Sequence, residues 1–181
     1  PLNGSCTIVN TKNTATQVVE ILRSNFENGQ SGGWSVGANV AVKSGVAIGQ
    51  YALNLIDGGA VSERGISTAG YSGGSVTMSL AADGLQNKDS CRAEYSTNGG
   101  GSWSLVLAVG DGSDDRTFDA ATVTPPAASN NANFRLRYAL IANGKGDYCY
   151  GDEIVVRGTP MSGTITADRL TAEKTQPDSL L

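Results

Sequence analysis

Gly146-Asp147-Tyr148-Cys149-Tyr150-Gly151-Asp152-Glu153-Ile154-Val155-Val156-Arg157-Gly158 is the stretch from which the rest of this chain is best read. Tyr148, Tyr150, Ile154 and Val156 alternate with other residues, as in a β-strand with one face buried. The same few residues hold a cysteine that can be cross-linked, adjacent carboxylates suited to a hard cation, and aromatics fit for a core or a ligand platform. Such a strand points to an extracellular β-sandwich.

Working outward, the same alternation recurs. Val76, Met78 and Leu80 alternate cleanly, as do Phe134, Leu136 and Tyr138 against Arg135 and Arg137, a pattern that buries one face and wets the other. Strands are expected near residues 17–26, 34–36, 51–56, 62–67, 75–81, 90–96, 103–109, 116–121, 133–141 and 148–157. Gly, Asn, Asp and Ser punctuate them, Pro125-Pro126 breaks the chain before the penultimate one, and no amphipathic helix interrupts. About ten strands at roughly 10- to 15-residue spacing make an all-β sandwich rather than a βαβ protein. The expected domain runs over residues 16–160. Residues 1–15 are a linker or loosely attached first strand, and residues 161–181 a polar C-terminal linker or tail.

Composition agrees and excludes several functions. The 181 residues include 24 Gly and only 17% charged residues, as in turn-rich β-proteins and unlike helical bundles. A net charge of −4, with no run of Lys or Arg, argues against a nucleic-acid partner, which needs a basic footprint. No apolar run approaches the ~20 residues of a membrane span, so no membrane partner is expected. The opening at Pro1, without a leader segment, gives the expectation of a piece processed from a larger polypeptide.

The chain has no histidine, which removes the commonest general base and the commonest transition-metal ligand. The neighbouring carboxylates Asp114-Asp115 and Asp152-Glu153 point to opposite faces of a strand, and no serine has a histidine partner. An enzyme is therefore not expected. Cys6, Cys91 and Cys149 lack the spacing of a zinc site, and one disulfide plus one spare thiol is the simplest accounting. That chemistry belongs outside the cytosol.

Pyranose faces stack on flat rings, so aromatics are the natural candidates for sugar contact. Tyr71, in the Gly-rich stretch 69–74, and Tyr148, beside the turn 144–146, have the best claim to exposure; Tyr95 and Tyr138 sit in alternating patterns and read as core. The acidic, Gly-rich segment 110–116 lacks the full frame and distal Glu of a calcium loop. It reads as a solvated hairpin loop, with a second, weak cation site as the alternative.

Several pieces occur in a telling order: Asn25-Phe26-Glu27-Asn28-Gly29 and Gly33-Trp34, then Gly49-Gln50-Tyr51-Ala52-Leu53, then Ile66-Ser67-Thr68-Ala69-Gly70-Tyr71-Ser72. Glu94-Tyr95-Ser96-Thr97-Asn98-Gly99-Gly100, residues 130–137 and the closing strand follow. The series resembles a family of secreted jelly-roll modules that includes MAM-like domains and the calcium-stabilised carbohydrate-binding modules of bacterial polysaccharide-degrading enzymes. The resemblance implies a jelly roll of about ten antiparallel strands. It implies that Glu27 and Asp152, on neighbouring first and last strands, clasp a structural calcium, that Trp34 packs into the core, and that Cys91 pairs with Cys149. In the chain-entropy model that disulfide, closing about 58 residues, is worth about 4 kcal/mol. Cys6 is then left free or paired elsewhere. Ser96 to Trp103 also resembles an Asp-box hairpin, with Asn98 where Asp is usual, an element that is ordinarily structural.

The expected function is that of a non-catalytic carbohydrate-binding module, attached to other domains of a larger secreted polypeptide and holding a polysaccharide or oligosaccharide. A MAM-like adhesion or protein-interaction module is the main alternative. A structural accessory domain of a secreted hydrolase such as a protease is another.

Overall fold

The computed structural model describes residues 17–128 and 130–161. Cys6 and the expected flanking segments, Met161 excepted, lie outside these residues. Among the described residues ten antiparallel strands form two sheets, with a single 3-10 turn at Pro126–Ala128. The strands are β1 (Val19–Ser24), β2 (Val40–Ser44), β3 (Tyr51–Ile56), β4 (Val61–Ile66), β5 (Tyr71–Asp83), β6 (Ser90–Ser96), β7 (Ser104–Gly110), β8 (Asp119–Val123), β9 (Phe134–Ile141) and β10 (Tyr148–Pro160). The six-stranded sheet runs β2-β3-β10-β5-β8, with β1 also on β10, and the four-stranded sheet runs β4-β9-β6-β7. β1 and β10, first and last in the chain, are thus neighbours, with Ser24 opposite Ile154.

The core lies between the sheets. Val76, Met78 and Leu80 of β5 and Leu53 and Leu55 of β3 face Phe134, Leu136, Tyr138 and Leu140 of β9, all fully or almost fully buried. Cys91 of β6 and Cys149 of β10 are bonded across the sandwich, 58 residues apart in sequence. The disulfide therefore ties one sheet to the other.

The single face expected for Tyr148, Tyr150, Ile154 and Val156 is split by the slip between Asp152 and Val155: Cys149 and Gly151 turn inward before it, Ile154 and Val156 after it. The Tyr138 ring crosses so near that a Cβ at residue 151 would lie 2.4 Å from it, and the Tyr138 hydroxyl donates to Ser79 O at 2.8 Å. Only a residue without a side chain leaves room for a buried tyrosine there.

The strand expected at 34–36 does not form. Gly32 and Gly33 adopt positive φ, and Trp34 turns inward from a loop, donating Nε1–H to Ser24 Oγ at 3.1 Å. The real second strand is Val40–Ser44, whose Val40 and Val42 pair with Leu55 and Leu53. Trp34 nonetheless sits in the core, where a large aromatic gains most from burial. No helix among the described residues is long and apolar enough to cross a membrane.

Candidate functional site

Two neighbourhoods along β10 gather polar side chains. The first is a seam around Glu27 and Asp152. The Glu27 carboxylate accepts from Gln50 N–H at 2.9 and 3.0 Å and from Tyr51 N–H at 3.4 Å. Asp152 accepts from Ile48 N–H at 2.8 Å through one oxygen and from Glu153 N–H at 2.7 Å through the other. Both side chains thereby hold the segment 48–51. Gly49 lies against the Glu27 carboxylate, where a Cβ would meet an oxygen at 2.6 Å.

The backbone is strained on both sides of the seam. Phe26, before Glu27, has φ +57°, and Glu153, after Asp152, has φ +44° where the β10 ladder slips between Asp152 and Val155. Left-handed non-glycine residues are uncommon and concentrate at functional or tightly determined sites. Asp152 is 0% exposed and has no ion-pair partner among the described residues. Burial, aided by the negative charges of Glu153 and Glu27, pushes its carboxyl up to about 7 despite the two N–H donors.

Among the described residues no three His, Cys, Asp or Glu side chains group so as to hold a metal ion. A transition-metal chelate therefore has no donor set at the seam. Calcium differs, because it takes oxygen ligands and fills many of its six to eight positions with carbonyls and water. A buried carboxylate without a cationic partner, with a second carboxylate close enough to disfavour its charge, suits such an ion. A cavity of about 540 Å³ opens beside the seam, lined by Arg23, Phe26, Glu27, Asn28, Gln30 and Arg64 among others.

The second neighbourhood is the outer face of the six-stranded sheet. Tyr148 and Tyr150, two residues apart on β10, stack with centroids 6.1 Å apart and planes 5° from parallel. Register places Asp83 of β5 and Ile56 of β3 opposite Tyr148, and Asn54 of β3 opposite Tyr150. Directly paired residues share a face. Arg116 reaches Asp83 with Nε at 2.8 Å and Nη2 at 2.5 Å, which raises its pKa, and its charge also senses both tyrosines. Tyr150 is buried and its phenol pushed up, by burial first and by Asp83 second, whereas Tyr148 is half-exposed. The Oδ1 of Asn54 is sealed from solvent without a hydrogen bond. A half-exposed ring backed by a second one, with a planar cation on the same face, suits a polyhydroxylated ligand.

Of the residues singled out from sequence, Glu27 and Asp152 meet at the seam, and Cys91 and Cys149 are joined. Tyr71 and Tyr148 are not brought together. Tyr71 opens β5 opposite Pro160, while Tyr148 lies opposite Asp83 at the other end of the same strand pair. Twelve residues at ~3.3 Å each put them roughly 40 Å apart. Tyr71 is half-buried with its Cβ against Gly158. Sequence reasoning passed over Asn54, Asp83 and Arg116. They reach Tyr148 only through strand register and a hairpin loop, and no local motif marks them.

No protein-family model and no curated protein sequence matches the chain. Solved structures do match in fold. A family 61 carbohydrate-binding module, TmCBM61, solved with β-1,4-galactotriose, superposes with a TM-score of 0.53 at 16% identity, covering 73% of this chain and 92% of that one. The CBM22-1 xylan-binding domain of Paenibacillus barcinonensis Xyn10C gives a TM-score of 0.53 at 14% identity over 82% of this chain and 99% of its own. The K3 cleaved adhesin domain of Lys-gingipain from Porphyromonas gingivalis gives 0.53 at 14% identity over 78% and 99%. The chain is thus an all-β jelly-roll sandwich, similar in fold to carbohydrate-binding modules and to an adhesin domain.

Proposed function

We propose that the chain is a non-catalytic carbohydrate-binding module of a secreted polysaccharide-degrading enzyme, and that it holds a glycan on the outer face of the six-stranded sheet. The observation that carries this reading is the stacked Tyr148–Tyr150 pair, flanked by Asn54 and the Arg116–Asp83 pair. Half-exposed Tyr148 offers its ring to a pyranose face, while the exposed Arg116 supplies hydrogen bonds to hydroxyls. The work done is proximity: a tethered catalytic domain sees a raised effective concentration of polymer. Fold neighbours that bind β-1,4-galactotriose or xylan make β-1,4-galactan and xylan the first glycans to try. Tyr71 would serve a separate contact along the same sheet. A disulfide-tied core suits a secreted protein.

Glu27 and Asp152 would hold a structural calcium, helped by carbonyl oxygens. The ion would neutralise the buried Asp152 charge and staple β1 and β10 to the segment 48–51. Its role would be stability, with no part in chemistry.

Affinity electrophoresis in soluble β-1,4-galactan and xylan tests the glycan reading. Retardation that Tyr148→Ala reduces supports it; unaltered mobility in both polymers defeats it. A MAM-like adhesion module is the second reading, favoured by the fold likeness to the K3 adhesin domain and by exposed Val61, Leu105 and Ile141 on β4, β7 and β9. Concentration-dependent dimerisation without glycan binding would favour it.

A further inference from the structure

One end of the sandwich collects aspartates from four separate loops. Asp57 follows β3, Asp89 precedes β6, Asp111 and Asp114 follow β7, and Asp147 precedes β10. The loops interlock there. Asp57 accepts from Gly146 N–H at 3.1 Å, Asp114 from Leu85 N–H at 2.7 Å, and Asp111 from Asn87 N–H at 2.9 Å. Gly84 approaches Gly146 O so closely that a Cβ would lie 2.5 Å from it. Of the basic residues in these loops, Arg116 is paired with Asp83, while Lys88 and Lys145 are exposed and form no ion pair among the described residues.

Asp147 is the informative member. It is 2% exposed, and its Oδ2 is sealed from solvent and accepts no hydrogen bond. Burial raises its pKa, followed by the negative charge of Asp89; the Gly144 backbone opposes them, and Asp57 and Asp114 add smaller upward contributions. Asp89 itself is only 8% exposed. A buried carboxylate oxygen with no donor costs heavily unless a cation faces it. Here acidic side chains surround it instead.

We propose that Asp147 and Asp89 hold a second divalent cation of the calcium class, at the loop end next to the Tyr148 platform and distinct from the Glu27–Asp152 seam. Two carboxylates with carbonyl and water oxygens satisfy a hard ion that tolerates irregular coordination, and the all-oxygen donors favour it over zinc or copper. Asp147 and Asp152 are five residues apart on an extended strand, about 17 Å, so one ion cannot serve both. The ion would order the loops that border the tyrosine face.

Calorimetric titration of the full chain with calcium chloride, after chelator treatment, tests this directly. Wild type should take up two equivalents. Asp147→Asn should lose one equivalent and keep the one that Asp152→Asn removes. Terbium added in place of calcium should show tyrosine-sensitised emission through the adjacent Tyr148, and Asp147→Asn should abolish that component. Should Asp147→Asn fail to fold, Asp89→Asn is expected to lose the same equivalent and the same emission. Uptake equal in Asp147→Asn and wild type overturns the proposal, as does a wild type that binds one ion lost in Asp152→Asn alone, or none. A single equivalent lost only in Asp147→Asn would sustain this site while sinking the seam's.

Discussion

The two outer faces of the sandwich use similar residues to opposite effect. On the four-stranded sheet Arg135, Arg137 and Trp103 are already engaged. Arg137 bonds Glu94 at 2.6 Å and lies 4.2 Å over the Trp103 ring, and Arg135 bonds Glu63 at 3.2 Å. The Asp-box hairpin next to it is likewise closed, since Asn98 accepts from Ser102 N–H at 2.9 Å and donates to Ser102 Oγ at 3.0 Å. On the six-stranded sheet Tyr148 stays half-exposed and Asn54 Oδ1 is unpaired. An aromatic covered by its own arginine has little left for a ligand, whereas the half-exposed Tyr148 ring, backed by the buried Tyr150, keeps a free edge and face. Function is therefore sought on the second face, although the larger aromatic sits on the first.

Both faces depend on one covalent tie, so the largest expected effect is on stability. Replacing Cys91 and Cys149 together by Ala should cost about 4 kcal/mol in urea unfolding, in the chain-entropy model. A cost near zero would mean that the sheets hold each other without it. Next comes Gly151→Ala, which drives a methyl into the Tyr138 ring beneath the tyrosine face. Overpacking at so close an approach should cost about 3 kcal/mol in the same measurement.

The seam beside that face should respond to pH with a definite sign. Asp152 moves from an ordinary 3.8 to about 7 on folding, so the folded chain holds the extra proton between those values. Without calcium, stability falls as pH rises through this window, and acidifying from pH 7 to 5 should recover about 2 kcal/mol. Melting in chelator at the two pH values checks this; Asp152→Asn should flatten the dependence, and calcium should reduce it. The smallest effects bear on the comparison itself. Tyr148→Ala should weaken galactan or xylan binding about tenfold and leave the melting temperature nearly unchanged, in keeping with the ~0.5–1.5 kcal/mol of one aromatic contact. Trp103→Ala should leave glycan binding intact and cost about 0.5–1 kcal/mol of stability through its lost cation–π contact. Equal losses of binding from both variants would erase the distinction between the faces.

Legibility in the sequence followed the range of the interactions. The alternation of Val76, Met78 and Leu80 announces β5 because period-two burial is local. Trp34 misleads, since its bulk suggests a strand while the positive φ of Gly32 and Gly33 makes it a loop anchor. Val40–Ser44 carries a weaker signal, with only Val40 and Val42 in alternation. At the candidate site Tyr148 was legible as a ring beside a Gly-rich turn. Asn54, Asp83 and Arg116 were not, because register between strands distant in sequence alone sets them beside it.

By itself, then, the sequence determined the all-β class, the alternation that builds the core, and the scarcity of catalytic groups. These rest on composition and on periodicity over a few residues. Only the tertiary structure decided which sheet presents a half-exposed stacked tyrosine, that Tyr71 and Tyr148 lie at opposite ends of one strand pair, and that the charges of aspartates from three other loops act on the buried Asp147. Those facts depend on strand order and register, which arise when non-local pairings bury the core and which no short stretch of chain encodes.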